Sequence, residues 1–305
     1  MTRVSDAASH SLMLANLNQS IGRARDVQVQ ISTGKVGQEY ASLGRESQRL
    51  ISLETERAKV DRFVSNNGVV DLRLQKMETV VAQAMEIASE ARALLVNAGH
   101  DGNAAELDLQ GRMQGFLDSL AGLLNSEHNG RTLFAGARTD ADPVDFSLLP
   151  ADGDFLAGTA DSFYYKGDSQ VLRHRASDTL SIDYGVTASD AGFENLVRGL
   201  KIAETTNVTD TASAQQRIDR ALDLINQAID RLPDVRGRIG GSRAVLEEET
   251  ARLGDFTLAL DESVSDIENV DFAEAVSRLS EEQAQMQASL AALARLRQVS
   301  LTTYL

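Results

Sequence analysis

The stretch DFAEAVSRLSEEQAQMQASLAALARL, residues 271–296, decides the fold class. Asp271 is followed three residues later by Glu274, a capping pair that predicts where a helix begins. Behind this pair, one stripe of positions advances in alternating steps of four and three residues. Its members are Phe272, Val276, Leu279, Gln283, Met286, Leu290 and Leu293. This heptad spacing predicts a long helix that packs along one seam against a second helix.

A second heptad seam lies at the other end of the chain. It begins at Leu14 and stops at Gly34. The positions between them are Leu17, Ile21, Ala24, Gln28 and Ile31. Because the chain begins and ends with heptad helices, we assign residues 1–45 and 265–305 to one terminal coiled-coil domain.

The three prolines indicate where long helices are permitted, because proline breaks the interior of a helix. A proline-free apolar run begins near Glu46 and is interrupted at Asn97–Asn103. Its periodic positions are Leu50, Leu53, Val60, Val64, Leu74, Val81, Ala84, Ala88, Ala91 and Leu95. A shorter run to about Asn125 predicts the return arm of an antiparallel hairpin, with one stripe at Leu107, Leu117, Leu120 and Leu124. Later the helical spacing returns and is punctuated by Pro233. It then resumes as a stripe of helical core positions at Ile239, Ser242, Leu246, Leu253, Phe256 and Leu260. We assign residues 46–137 and 197–264 to a helical rod domain.

Residues 138–196 differ in composition from the helical segments, because they are rich in glycine, aspartate and aromatic residues. Three short segments are β-prone, namely Ser162–Tyr165, Gln170–Arg175 and Thr179–Tyr184, and turn residues separate them. The last segment has the alternation typical of a strand, at Leu180, Ile182 and Tyr184. We interpret this region as an inserted β-rich domain. The predicted fold class is therefore mainly α with a small β insertion: an elongated antiparallel helical bundle or coiled coil formed by the N- and C-terminal segments, with the β-rich domain in the middle.

The charge balance argues against several classes of partner. The 305 residues contain 30 Lys and Arg against 45 Asp and Glu, a formal net charge of -15. A chain this acidic repels polyanions, so we expect no nucleic-acid partner and no binding to anionic membranes. The absence of cysteine excludes disulfides, thiolate metal sites and cysteine nucleophiles. The N-terminus has no cleaved signal-peptide pattern, and no apolar run is long enough to span a membrane.

No catalytic, cofactor-binding or metal site is predicted. The four histidines, His10, His100, His128 and His174, are too far apart in sequence for a local ligand motif. Glu247, Glu248 and Glu249 are interpreted as a solvated helix face, and the aspartates Asp140, Asp142, Asp145, Asp152 and Asp154 as polar turn residues. Gly237, Gly240 and Gly241 lack the strand and the lysine of a phosphate-binding loop.

Four segments resemble the flagellin superfamily. The C-terminal stretch from Ser265 to Leu305 resembles the family's C-terminal region, and QISTGK, residues 30–35, resembles the pattern that closes its first helix. NGRTLFAG, residues 129–136, is similar to its helix-to-β junction, and FYYKGD, residues 163–168, to its first β-segments. The ending SLTTYL is closer to the branch that lies between hook and filament than to filament flagellin. The acidic, proline-containing segment that usually follows the first helix is replaced here by VGQEYASLGRESQRL, residues 36–50.

This resemblance implies a structural component of the bacterial flagellum that joins the hook to the filament and is not an enzyme. The implied partners are hook-associated protein 1 on the hook side, flagellin on the filament side, copies of the chain itself in a ring or helical turn, and a flagellar export chaperone before secretion. The implied location is extracellular, at the hook-filament junction, after export by the flagellar type III apparatus without a cleaved signal peptide. The resemblance implies no cofactor.

The resemblance also implies that the terminal helices form the contacts between subunits, whereas the heptad spacing by itself fits an ordinary bundle core equally well. The implied assembly interface comprises Leu14, Leu17, Ile21, Ala24, Ile31, Phe272, Val276, Leu279, Met286, Leu290 and Leu293. Two other functions stay open: a filament flagellin, which would share the terminal helices, and a soluble helical enzyme or sensor.

Overall fold

The computed structural model describes residues 2–99, 108–138, 140–149, 163–207 and 211–302. Within these residues the chain is mainly helical, with two small antiparallel sheets, which confirms the predicted fold class. It divides into two compact units. The first combines Met1–Lys59 with Phe256–Leu305, and the second is Val60–Asp255. The division into three domains drawn from the sequence stays a prediction.

The first unit is built from both ends of the chain. It contains helix α1 (Thr2–Thr33), the start of α2 (Glu46–Gly99), the end of α5 (Thr211–Glu268) and helix α6 (Phe272–Thr302). A short 3-10 turn, Tyr40–Leu43, lies between α1 and α2. Within the described residues no helix has the combination of length and apolar character that crossing a membrane requires.

The end of α1 is tied to the beginning of α6 by backbone hydrogen bonds. Gly34 adopts a φ of 73°, which favours glycine and ends the helix. The Val270 N–H donates to the Gly34 carbonyl at 2.9 Å, and the Val36 N–H donates to the Glu268 carbonyl at 2.7 Å. The Asp271 side chain accepts from the Ala273 N–H at 2.9 Å, which confirms the predicted start of α6. These bonds place the two terminal helices side by side and antiparallel.

The second unit encloses one continuous apolar core. Its helices are α2 from Val60 onward, α3 (Leu109–Leu124), α4 (Ala191–Glu204) and α5 up to Asp255. The stripe that the sequence predicted along α2 is buried here, at Leu74, Val81, Ala84, Ala88, Ala91 and Leu95. Of the stripe predicted for α3, Leu117, Leu120 and Leu124 pack into the same core, and Leu107 lies outside the described residues. The helical periodicity therefore identified the core faces of both helices correctly.

Two β-hairpins complete the second unit. Strand β1 (Glu127–His128) pairs with β2 (Arg131–Thr132), and β3 (Leu172–Arg175) pairs with β4 (Ser181–Tyr184). The turn of the first hairpin places Asn129 and Gly130 at φ of 53° and 71°. Asn-Gly is the sequence that tolerates two positive φ angles in succession, so this dipeptide fixes the hairpin.

Three features differ from the sequence-based prediction. Helix α4 begins at Ala191, before residue 197, where helix was predicted to resume. Helix α5 continues through Pro233 instead of being punctuated there, because Pro233 faces solvent while Leu232 and Val235 on either side are buried and hold both halves in place. In the first β-prone segment, the described residues 163–165 contribute an isolated bridge between Tyr165 and Val144 and no strand.

Candidate assembly surface

Helices α1 and α6 pack against each other along one side of each heptad seam. The most deeply buried positions are Ser20, Ala24 and Val27 on α1, and Ala275 and Leu293 on α6. Small side chains predominate at these positions, so the two helix backbones can approach closely. The sequence-based seam included Ala24 and Leu293 but missed Ser20, Val27 and Ala275. Each missed residue directly precedes a seam position, so the buried face is rotated from the predicted seam by part of a turn.

A bidentate ion pair connects the two helices in the C-terminal half of α1. Arg23 donates from Nε to Glu282 Oε1 at 2.6 Å and from Nη2 to Glu282 Oε2 at 3.1 Å. The same Nη2 donates to Ser20 Oγ at 3.0 Å. The hydrogen bond from Arg23 lowers the pKa of the Glu282 carboxyl below its ordinary value. The planar guanidinium group binds both carboxylate oxygens, so this pair fixes the register of the two helices. Because the site is partly exposed to solvent, the pair adds little to the free energy of unfolding.

The eleven residues of the predicted interface fall into three groups. Ala24 and Leu293 are buried. A second group is partly buried within the first unit, namely Leu17, Ile21, Ile31, Leu279 and Met286. The remaining four are exposed: Leu14 at 39%, Phe272 at 60%, Val276 at 41% and Leu290 at 53% of their full surface. The structure therefore brings the first two groups into the packed unit and leaves the third facing solvent.

The exposed residues of α6 share one face, which we call the outer face and define by Phe272, Val276 and Leu290. At about 100° of rotation per residue, these three lie within about 40° of one another. Ala275 and Leu293 lie about 60° to one side of Phe272 and Leu290, by the same rotation. The apolar stripe of α6 is thus wider than its contact with α1, and one edge of it is left uncovered.

Further exposed apolar residues in the first unit were not predicted from sequence. They are Leu12, Val29, Tyr40, Ile51, Phe256 and Leu258. Phe256 belongs to a stripe that the sequence assigned to helical core, and no local signal distinguishes a buried from an exposed member of such a stripe. Large apolar residues grouped on a surface commonly mark a protein-protein contact.

The groups considered for other chemistry have structural explanations. Within the described residues no three His, Asp or Glu side chains are arranged to hold a metal ion. Lys166 and Ser147 bind the Asp145 carboxylate and lower its pKa to about 2, as befits a turn residue. Glu249 differs from the predicted solvated face: it is buried and pairs with Arg252 Nε at 2.9 Å, which lowers its pKa. Asp152 and Asp154 lie outside the described residues.

Comparison with known proteins agrees with this architecture. Residues 4–139 match the bacterial flagellin N-terminal helical region, and residues 222–305 match the bacterial flagellin C-terminal helical region. Flagellar hook-associated protein 3 of Escherichia coli (strain K12) is 23% identical over 291 residues, which cover 89% of this chain and 90% of that protein.

Solved structures share the fold at low sequence identity. A putative flagellar hook-associated protein from Vibrio parahaemolyticus matches with a TM-score of 0.60 at 18% identity, covering 76% of this chain and 99% of that one. Bacillus cereus FlgL matches with a TM-score of 0.55 at 15% identity, covering 70% and 98% respectively. The two matched flagellin regions together span most of the sequence. The chain therefore belongs to the flagellin superfamily, as a structural flagellar protein similar to hook-associated protein 3 and not an enzyme.

Proposed function

We propose that this chain joins the flagellar hook to the filament, and that it does so by packing its terminal helices against neighbouring subunits. The observation that supports this most directly is the outer face of α6. Phe272, Val276 and Leu290 continue the apolar stripe that packs on α1, yet they stay exposed in the single chain. Covering them in an assembly would remove apolar surface from water, which favours association.

The partners follow from the relatives and from the sequence. Hook-associated protein 1 is proposed on the hook side, flagellin on the filament side, and copies of the chain itself in a ring or helical turn. An export chaperone would hold the chain before secretion. We also propose that the protein is exported by the flagellar type III apparatus without a cleaved signal peptide and acts outside the cell at the hook-filament junction.

Immunogold labelling of isolated flagella tests the location. A narrow band of label at the hook end of each filament is the expected result. Filament flagellin remains the second candidate, because both matched regions are described as parts of flagellin. Label distributed along the whole filament would favour that candidate and refute the junction.

The outer face is tested with Leu290→Asp and a matched control, Ala288→Asp. Ala288 is also exposed on α6, and about 100° of rotation per residue places it on the side away from the outer face. Both substitutions add the same charge, and their helix-propensity costs are similar because alanine and leucine are both good helix formers. Burying an unpaired carboxylate in an interface costs several kcal/mol, so only Leu290→Asp should leave hooks without filaments and release filament protein into the medium.

Thermal unfolding of the two purified variants separates assembly from folding. Because Leu290 is 53% exposed, the monomers should melt at similar temperatures. Long filaments on Leu290→Asp cells would remove the assembly role of the outer face. A large loss of monomer stability in Leu290→Asp alone would instead make this residue part of an internal core.

A further inference from the structure

A pocket of about 320 Å³ in the second unit collects basic and amide side chains. We call it the Arg73 pocket and define it by Asn66, Arg73, His128, Asn129, Arg131 and His174, which line it. These residues come from α2, the β1–β2 hairpin and β3. None of the described lining residues is an Asp or Glu. In a chain with a net charge of -15, a pocket lined by two arginines and no carboxylate is a local region of positive charge.

Arg73 lines the pocket, and no carboxylate among the described residues neutralises its charge. Only 7% of its surface is exposed. Its Nη2 donates to the Thr132 carbonyl at 2.7 Å, but within the described residues no carboxylate pairs with the guanidinium. Its Nε is buried, and within the same residues it has no hydrogen-bond partner. Burying a cation without a counter-charge costs free energy, because the charge loses its hydration. An anion bound beside Arg73 would offset that cost.

Two neighbouring side chains, His128 and Arg131, also favour the binding of an anion in this pocket. His128 Nε2 is also buried, and no described residue forms a hydrogen bond with it. Arg131 is exposed at the hairpin, close enough to share the pocket lining with Arg73, and within the described residues it forms no ion pair. A guanidinium group presents a planar fork of donors that matches the two oxygens of a carboxylate. Val69, 52% exposed on the same wall, offers apolar surface to the aliphatic part of an acidic side chain.

We propose that the Arg73 pocket binds a carboxylate group. The carboxylate has two possible sources: a free small carboxylate anion, or an Asp or Glu side chain of a second copy of this chain in the assembly. The second source is chemically plentiful, because each copy has 45 acidic residues. This second source rests on the proposed function, because it requires neighbouring copies in an assembly. Binding of a carboxylate by the pocket does not depend on that function.

Titration of the isotope-labelled full-length chain with glutarate, followed by NMR, tests the pocket itself. Chloride at matched ionic strength is the reference. Arg131→Gln is the informative variant because its side chain is exposed and the fold should tolerate the change, whereas Arg73 is buried. The control is Arg62→Gln, which removes the same charge from an exposed position on α2 outside the pocket.

Saturable glutarate binding is expected for the wild type and Arg62→Gln, and binding about ten-fold weaker for Arg131→Gln, as befits the loss of one charge-assisted hydrogen bond. Glutarate shifts that match those of chloride, or equal binding by all three proteins, would overturn the proposal.

Flagellated cells carrying the same variants then identify the source of the carboxylate. Filament shedding by Arg131→Gln but not by Arg62→Gln assigns the carboxylate to a neighbouring copy. Normal filaments on both assign the pocket to a free anion. Immunogold labelling of the wild type reports separately on the hook-filament location, so a failure of the proposed function would not be mistaken for a failure of the pocket.

Discussion

Asn67 provides the sharpest test of how the second unit is held together. Its side chain is 1% exposed and lies on α2. Its Nδ2 donates to the Ala176 carbonyl at 3.1 Å and to Thr250 Oγ1 at 3.1 Å. Its Oδ1 is therefore the acceptor, and His174 Nε2 donates to it at 2.7 Å. One amide thus connects α2 to α5, to strand β3 and to the residue that follows that strand.

Replacing Asn67 by alanine removes all three hydrogen bonds. Each contributes about 0.5–1.5 kcal/mol net, and the buried carbonyl of Ala176 loses a donor that water cannot easily replace. We expect Asn67→Ala to lower the free energy of unfolding by about 2–4 kcal/mol. The adjacent Asn66 is exposed, and alanine is a better helix former, so Asn66→Ala should change stability by about 0.5 kcal/mol or less.

Urea unfolding of the full-length variants, followed by far-UV circular dichroism, measures this difference. The dependence on urea should keep its slope, because neither substitution changes the surface that unfolding exposes by much. Equal midpoints for Asn67→Ala and Asn66→Ala would refute the reasoning, since they would show that the buried amide network contributes nothing that an exposed amide does not.

Two further predictions concern backbone packing and pH. A Cβ on Gly199 would meet Ile225 Cγ1 at 2.7 Å, so Gly199→Ala should destabilise the chain by about 1–3 kcal/mol. Gly115 lies at an open position in α3, so Gly115→Ala should stabilise the chain by up to about 1 kcal/mol. Thermal unfolding measures both variants, and shifts of the same sign would contradict this expectation. Burial and the nearby Asp168 raise the pKa of Tyr165 from 10.0 to about 12, so its contribution to stability should be lost as the pH rises from 10 toward 12, because the unfolded chain ionises first. Urea unfolding across that pH range should show a shallower decline for Tyr165→Phe, and an unchanged decline would contradict the assignment.

The local sequence pattern was sufficient to predict an element and its buried face wherever one periodicity continued through the segment. The buried stripe from Leu74 to Leu95, the start of α6 behind Asp271, and the alternation that buries Ile182 and Tyr184 on β4 were all predictable. In each case the side-chain spacing repeats the geometry of the element, so neighbours in sequence are enough to determine the face that is buried.

Local pattern failed where distant residues changed the outcome. The helix-breaking tendency of Pro233 is outweighed by the burial of Leu232 and Val235 on either side. The β1–β2 hairpin has strands of two residues, too short for alternation to appear, and depends on the backbone angles of Asn129 and Gly130.

The sequence by itself determined that both ends of the chain are heptad helices, because a period of three and four residues is a local property. It did not determine which edge of the α6 stripe is covered: α1 packs beside Leu293 and leaves Leu290 exposed. The sequence also did not show that Asn67 is buried whereas Asn66 is exposed. Nor did it show that Arg73, His128 and His174 line one pocket. Tertiary structure decided these points, because burial and charge pairing depend on side chains that are distant in sequence and adjacent only in the folded chain.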